Sequence, residues 1–166
     1  LQDYIGEDNV NRALAEFLKK WAFKGPPYPD SRDLLAEFRA VTPPDYQYLI
    51  ADLFETITLF ENRAIEATAK DVGGGEWEVT LKASAKKLKA DGAGAQKEVP
   101  MDDWVDVGVY GEDPDKPLLL EKRKVRSGEW TYTLRVKGKP LKAGIDPVNK
   151  LIDRDPDDNT AQVEIK

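Results

Sequence analysis

The chain has 166 residues, 40% of them hydrophobic, with a formal net charge of −6 and neither Cys nor His. That length holds one domain or two small ones with a core of their own. The missing residue types exclude disulfides, a thiolate nucleophile, the Ser-His-Asp triad and every Cys- or His-ligated zinc site. An acidic chain without a basic face argues against nucleic-acid binding. No apolar run approaches the ~20 residues of a membrane helix.

Val10, Leu14, Phe17, Leu18 and Trp21 recur with a 3.6-residue period and predict a helix over 8–24. Asp8 or Asn9 caps its start, Lys19, Lys20 and Lys24 suit the negative end of its dipole, and Gly25-Pro26-Pro27 stops it. After the linker Tyr28-Pro29-Asp30, Ser31 caps a shorter helix facing inward with Leu34, Leu35 and Phe38. Thr42-Pro43-Pro44-Asp45 predicts a third start, with Thr42 as cap and Pro43 at the first helical position. That helix carries Tyr46, Leu49, Ile50, Leu53, Phe54 and Ile57 and is expected to run to about Leu59.

From Glu61 the period changes to 2. Strands are expected at Ala64 to Lys70, from Trp77 to Ala85 after the Gly73-Gly74-Gly75 turn, at Trp104 to Tyr110, at Leu118 to Arg126 and at Trp130 to Val136. Lys86 to Gln96 reads as a loop or an exposed hairpin end, and Ala161 to Ile165 as a last strand. The expected fold class is α+β: a short N-terminal three-helix segment over 1–60, then an antiparallel β-sandwich of about seven strands over 61–166, immunoglobulin- or fibronectin-like in size but without the Cys pair.

The most distinctive stretch is Ala143 to Arg154, running into Asp155-Pro156-Asp157-Asp158-Asn159. Gly144 and Pro147 mark a change of direction, and Leu151-Ile152 reads as a buried anchor. Asp153, Asp155, Asp157, Asn159 and Glu164 stand at positions 1, 3, 5, 7 and 12 of a notional calcium loop. Position 6 holds Asp158 instead of Gly, Pro156 stiffens the loop and a strand follows, so a structural turn is the favoured reading. Alternation puts Asp102, Trp104 and Asp106 on one strand face and Asp103 on the other, an exposed sheet face rather than a carboxylate pair for catalysis. The basic runs Lys86-Lys87-Leu88-Lys89 and Lys122-Arg123-Lys124 with Arg126 read as solvated strand faces. Trp21, Trp77 and Trp130 are in phase with core positions, and Trp104 is the candidate exposed aromatic.

Two regions carry a resemblance. Tyr4-Ile5-Gly6-Glu7 with Val10-Asn11-Arg12-Ala13-Leu14 and Phe17-Leu18 is the first, continued by Tyr28-Pro29, Leu34-Leu35 and Phe38-Arg39. The second runs from Leu49 to Leu59 through Glu66-Ala67-Thr68-Ala69 and Val99-Pro100-Met101-Asp102-Asp103-Trp104 to the stretch Ala143 to Arg154 with Asp157-Asp158-Asn159. Together they resemble the C-terminal part of bacterial M1-family (gluzincin) aminopeptidases, especially large members in which transporter-permease-like membrane segments precede the peptidase. The family's His-Glu-x-x-His zinc motif is absent, so no catalytic residue carries over.

The resemblance implies a fragment that is not itself an enzyme and holds no cofactor, with zinc in an upstream domain of the parent. It implies a non-catalytic C-terminal module that shapes substrate access or docks a protein or peptide partner. Its first partner would be the upstream catalytic domain of the same chain. The fragment would be soluble, and its bacterial parent membrane-anchored. The alternative reading is a β-sandwich binding module for glycan or peptide, with the helices as spacer.

Overall fold

A computed structural model describes residues 1–166. The chain divides into two compact units, Leu1–Ile57 and Thr58–Lys166.

The first unit is helical: α1 (Gln2–Ile5), α2 (Glu7–Trp21), α3 (Ser31–Val41) and α4 (Gln47–Ile50). Asp30, not Ser31, caps α3. Its carboxylate accepts from the Arg32 amide at 2.8 Å, and its own amide donates to Asp33 at 2.9 Å, a reciprocal capping box. Thr42 closes α3 instead of opening the next helix, since its amide and hydroxyl both donate to the Phe38 carbonyl. The chain then makes a 3-10 turn at Pro44–Tyr46, enters α4, and ends in a wider turn over Ala51–Glu55 closed by Thr56 N–H on the Ala51 carbonyl. The expected continuation to Leu59 does not occur, because β1 begins at Ile57. Ala13, Phe38 and Ile50 form the core of this unit, with Val10, Leu34 and Leu35 packed on it. The α2 face differs from the periodicity reading: Ala13 is buried, while Leu14 and Leu18 are exposed.

The second unit is built on β1 (Ile57–Gly73), β2 (Glu76–Ala90), β3 (Gln96–Val99), β4 (Asp102–Tyr110), β5 (Pro117–Arg126), β6 (Gly128–Lys137), β7 (Lys142–Ile145) and β8 (Thr160–Ile165). Three glycines with φ between 66° and 89° make the β1–β2 turn, a backbone that side-chain-bearing residues rarely adopt. The strands form one sheet in the order β3-β2-β1-β8-β7-β4-β5, with β6 also paired to β2. β6 takes the same edge of β2 as β3, from Glu76↔Lys137 to Ala85↔Gly128. Strands β5 and β6 are thus at opposite ends of the sheet yet joined through Ser127 alone. That connection requires the sheet to curl into a half-barrel.

This architecture corrects the expected sandwich in two respects. One curled sheet replaces two packed layers, and β1 runs parallel to β8, with Ala67 opposite Val163, so the sheet is mixed. The α+β class stands. The inner face holds Val79, Leu81, Ala83 and Ala85 of β2, Val105, Val107 and Val109 of β4, and Leu134 and Val136 of β6. Each such Val or Leu contributes roughly 1.5–3 kcal/mol by leaving water. The expected loop at 86–96 is mostly strand, with only 91–95 turning between β2 and β3. No helix is long and apolar enough to cross a membrane.

Candidate functional site

The acidic turn after β7 is reached through a corner. Asp146 and Asn149 have φ of 43° and 52°, and the buried Asp146 carboxylate accepts from the amides of Lys150 and Leu151, both at 2.9 Å. Burial pushes the Asp146 carboxyl up to about 6 against those two donors, and the charges of Asp106 and Asp153 add to the rise. Leu151 packs against the core, but Ile152 is exposed, which corrects its reading as a buried anchor.

Residue 153 then bridges to Phe60 in β1, with Phe60 N–H on the Ile152 carbonyl at 2.9 Å. The Asp153 side chain continues the ladder by one rung. Its Oδ2 accepts from the Asn62 amide at 2.8 Å, and its Oδ1 from the Asp155 amide at 3.1 Å. The chain next leaves β1, makes a single 3-10 turn over Pro156–Asn159, and returns when Val163 pairs with Ala67.

A cleft of about 360 Å³ lies at this departure. Glu61, Asn62 and Arg63 of β1, Ser84 and Lys86 of β2, and Asp153, Arg154, Asp155 and Asp158 line it. Glu61 pairs with Arg154 at 3.1 Å and Lys86 at 3.8 Å, and Arg154 also donates to Gln96. Arg63 stands 3.7 Å from Asp158. Two side-chain groups of the lining are left without hydrogen-bond partners: the Asn62 carboxamide, at both Nδ2 and Oδ1, and Asp158 Oδ1. Asn62 is only 2% exposed. Burial raises the Asp158 carboxyl above the ordinary range, Asp155 and Asp153 add to the rise, and Arg63 opposes it.

The notional calcium loop is not assembled. Asp153 is spent on backbone amides, Asn159 is fully buried with its amide toward Asn149, and Glu164 lies in β8 opposite Thr68. No three acidic side chains converge as metal ligands.

The faces read for β4 are correct, but their exposure is not. Asp103 points into the core and pairs with Lys87 at 2.7 Å, both almost fully buried, so the first basic run is not a wholly solvated face. Asp106, on the opposite face with Asp102 and Trp104, is 3% exposed. Its carboxylate meets Lys122 at 3.2 Å and Lys150 at 2.7 Å. Pro147 closes over Gly108, where an added Cβ would stand 2.9 Å from the proline ring. The buried Tyr110 hydroxyl has no hydrogen-bond partner; burial and the Asp106 charge raise it, against Lys150. These charges are mutually paired and pin the 146–151 corner to the sheet.

A third feature is a cleft of about 410 Å³ lined by Asp102, Lys124, Arg126, Ser127, Glu129, Trp130 and Tyr132, where β5 and β6 meet. The Trp130 and Tyr132 rings are 4.4 Å apart, and the Tyr132 hydroxyl donates to the Lys124 carbonyl at 2.8 Å. Trp77 and Trp130 pack against the core, and Trp104 is half-buried with the Lys124 ammonium 5.5 Å from its ring centre.

Sequence reasoning passed over Asn62. Its signal was present: a polar residue in the inward phase of β1, between buried Phe60 and Ala64. Compared with known proteins, the sequence matches no family model and no curated relative.

Proposed function

We propose that this chain is a non-catalytic module of a larger, membrane-associated M1-like zinc aminopeptidase, with zinc held in a separate catalytic domain of that parent. In this reading the helical unit docks on the catalytic domain, and the β unit shapes substrate access or holds a partner. The supporting observation is the uncovered apolar stripe of α2. Leu14 and Leu18, one turn apart, are 39% and 59% exposed, and Phe23 just beyond is fully exposed. A helix in a unit of this size ordinarily turns such residues inward, and an apolar stripe left outside marks a packing surface. The resemblance of Val10 to Leu18 to the peptidase family supplies the occupant.

The test is direct. Expected under this reading are a His-Glu-x-x-His motif in the full reading frame and binding of the chain by the catalytic domain made separately. Leu14→Glu with Leu18→Glu abolishes that binding while leaving the circular dichroism of the chain unchanged. Zinc-dependent cleavage of an aminoacyl fluorogenic peptide by the purified chain overturns the reading.

A second reading, a binding module for glycan or peptide, is favoured by the aromatic cleft. The tilted Trp130 and Tyr132 rings beside Asp102, Arg126 and Glu129 offer a ring face and planar polar groups together. Loss of oligosaccharide or peptide retention in Trp130→Ala would support it over the first.

A further inference from the structure

We propose, resting on the second reading above, that the seam between β5 and β6 takes an acidic peptide in extended conformation. The peptide pairs as an added strand along the edge of β5 that faces away from β4.

Backbone pairing supplies the first support. β5 pairs with β4 alone and β6 with β2 alone, and although the two are joined through Ser127 they form no ladder with each other. Side chains cross the seam instead. The Tyr132 hydroxyl donates to the Lys124 carbonyl at 2.8 Å, and the Arg123 guanidinium stands 5.6 Å from the Tyr132 ring centre. In an antiparallel pair the N–H and C=O of one residue point to the same side, and successive residues alternate. The Asp106 carbonyl accepts from the Asp146 amide just past β7. Asp106 and Gly108 thus turn their backbone groups to β7, and Val105 and Val107 turn theirs to β5, where Arg123 and Glu121 are their partners. Leu120, Lys122 and Lys124 therefore aim N–H and C=O away from β4, and the bond from Tyr132 to the Lys124 carbonyl has the same phase. A row of such groups is what an extended peptide uses when it adds a strand to a sheet.

Charge selects the peptide. Residues 117–137 hold six basic and two acidic side chains, in a chain of net charge −6. Lys on an edge ordinarily guards it against other strands. That guard is selective, because an acidic strand gains where a basic one is repelled. Lys124 and Arg126 share the single carboxylate of Asp102, at 3.4 and 3.3 Å. Glu129, the other acid lining the cleft, is taken by Lys82 at 2.8 Å. One cationic charge of the cleft is left over. Alternation sets the pattern of the ligand. Lys122, Lys124 and Arg126 share the face of β5 opposite the buried Val125, so a strand beside them meets that face with every second side chain. The side chains between turn to the core face, against which Trp130 and Tyr132 pack. The fitting peptide alternates acidic and apolar residues.

The experiment is amide NMR on the full chain, titrated with an acetylated and amidated octapeptide of Glu-Val repeats, with a Lys-Val octapeptide as control. Saturable shifts and slowed solvent exchange at the Leu120, Lys122 and Lys124 amides are expected with Glu-Val and not with Lys-Val. N-Methylation of all Glu residues, or of all Val residues, removes the donors on one side of the peptide strand; one of these two probes loses binding and the other keeps it. Lys124→Gln with Arg126→Gln, both at exposed positions, weakens binding by about threefold to tenfold. Added salt weakens it as well. Equal binding of Lys-Val, full binding of both N-methylated probes, or unchanged affinity in the double variant would overturn the proposal. Concentration-dependent shifts of these amides without peptide would also overturn it, by assigning the edge to a second copy of the chain. Oligosaccharide retention that Trp130→Ala abolishes, without Glu-Val binding, overturns the proposal and leaves the second reading standing; binding of neither ligand overturns both.

Discussion

Removing either member of the Lys87–Asp103 pair should unfold the β unit far more readily than removing both. The two side chains are 6% and 8% exposed, and Nζ stands 2.7 Å from Oδ2. At an effective dielectric of about 20, charges that close attract by roughly 6 kcal/mol. Burying each ion costs several kcal/mol, so the intact pair contributes little net stability. The balance breaks when one partner goes. Asp103→Leu takes from the buried ammonium, 5.8 Å from the centre of the Phe60 ring, the carboxylate that stands 2.7 Å from it. Lys87→Met takes the same ion-pair partner from the buried Asp103 carboxylate. Each single variant should lose about 3–5 kcal/mol, and the double variant should return to within about 1–2 kcal/mol of the parent or exceed it. Urea unfolding followed by Trp fluorescence, read as a double-mutant cycle, gives a coupling energy of about 3 kcal/mol or more. The coupling should persist in high salt, since a buried pair is screened little. Additive single effects would refute the reasoning and place the pair in contact with water.

Three further outcomes are expected. Gly144→Ala builds a Cβ 2.2 Å from the Asn159 carbonyl and 2.9 Å from Thr160 Cα, both backbone, and should cost about 3 kcal/mol or more in urea unfolding; Ala143, its neighbour, is no guide to the tolerance of this position. Asp146 holds its proton to about pH 6 in the folded state against an ordinary 3.8, so the native state binds more protons between those values and its stability falls as pH rises through that window. The stability of Asp146→Asn relative to the parent should therefore improve by up to about 3 kcal/mol between pH 4 and pH 6.5, and a pH-independent difference would contradict the assignment. Leu14→Glu with Leu18→Glu should leave the melting temperature of the isolated chain within a few degrees, because the stripe is exposed; a large loss would show that it is core.

Where the sequence could be read, one periodicity dominated. The inner faces of β2, β4 and β6 alternate cleanly and were legible. The errors fall where two local preferences compete. Leu53, Phe54 and Ile57 continue a helical stripe, but Thr56 and Thr58 are β-branched, and the Phe60 amide finds the Ile152 carbonyl across the sheet. No local signal announces that partner. The extension of β2 past Ala85 was hidden by Lys87, whose charge reads as surface until Asp103 is placed opposite it. The strand read at Ala64 to Lys70 is the middle of β1, whose first residues, from Ile57, read as the end of the preceding helix. The cleft itself was illegible, because it depends on where residues 153 and 163 meet β1. Asn62 alone carried a hint, as a polar group in an apolar phase.

Strand β8 occupies the middle of the sheet, between β1 and β7, although it is the last element of the chain. During synthesis the earlier strands must therefore wait, with β1 and β7 each offering an unpaired edge until residues 160–165 arrive. Contacts of such long sequence separation slow folding and lengthen the exposure of sticky edges. Deleting Thr160–Ile165 is thus not a cosmetic change. It removes the ladder that joins a β3-β2-β1 part, which keeps β6, to a β7-β4-β5 part, leaving the shared core and the Phe60–Asp153 bridge to hold them together, and a holdase chaperone would be expected to retain the shortened nascent product.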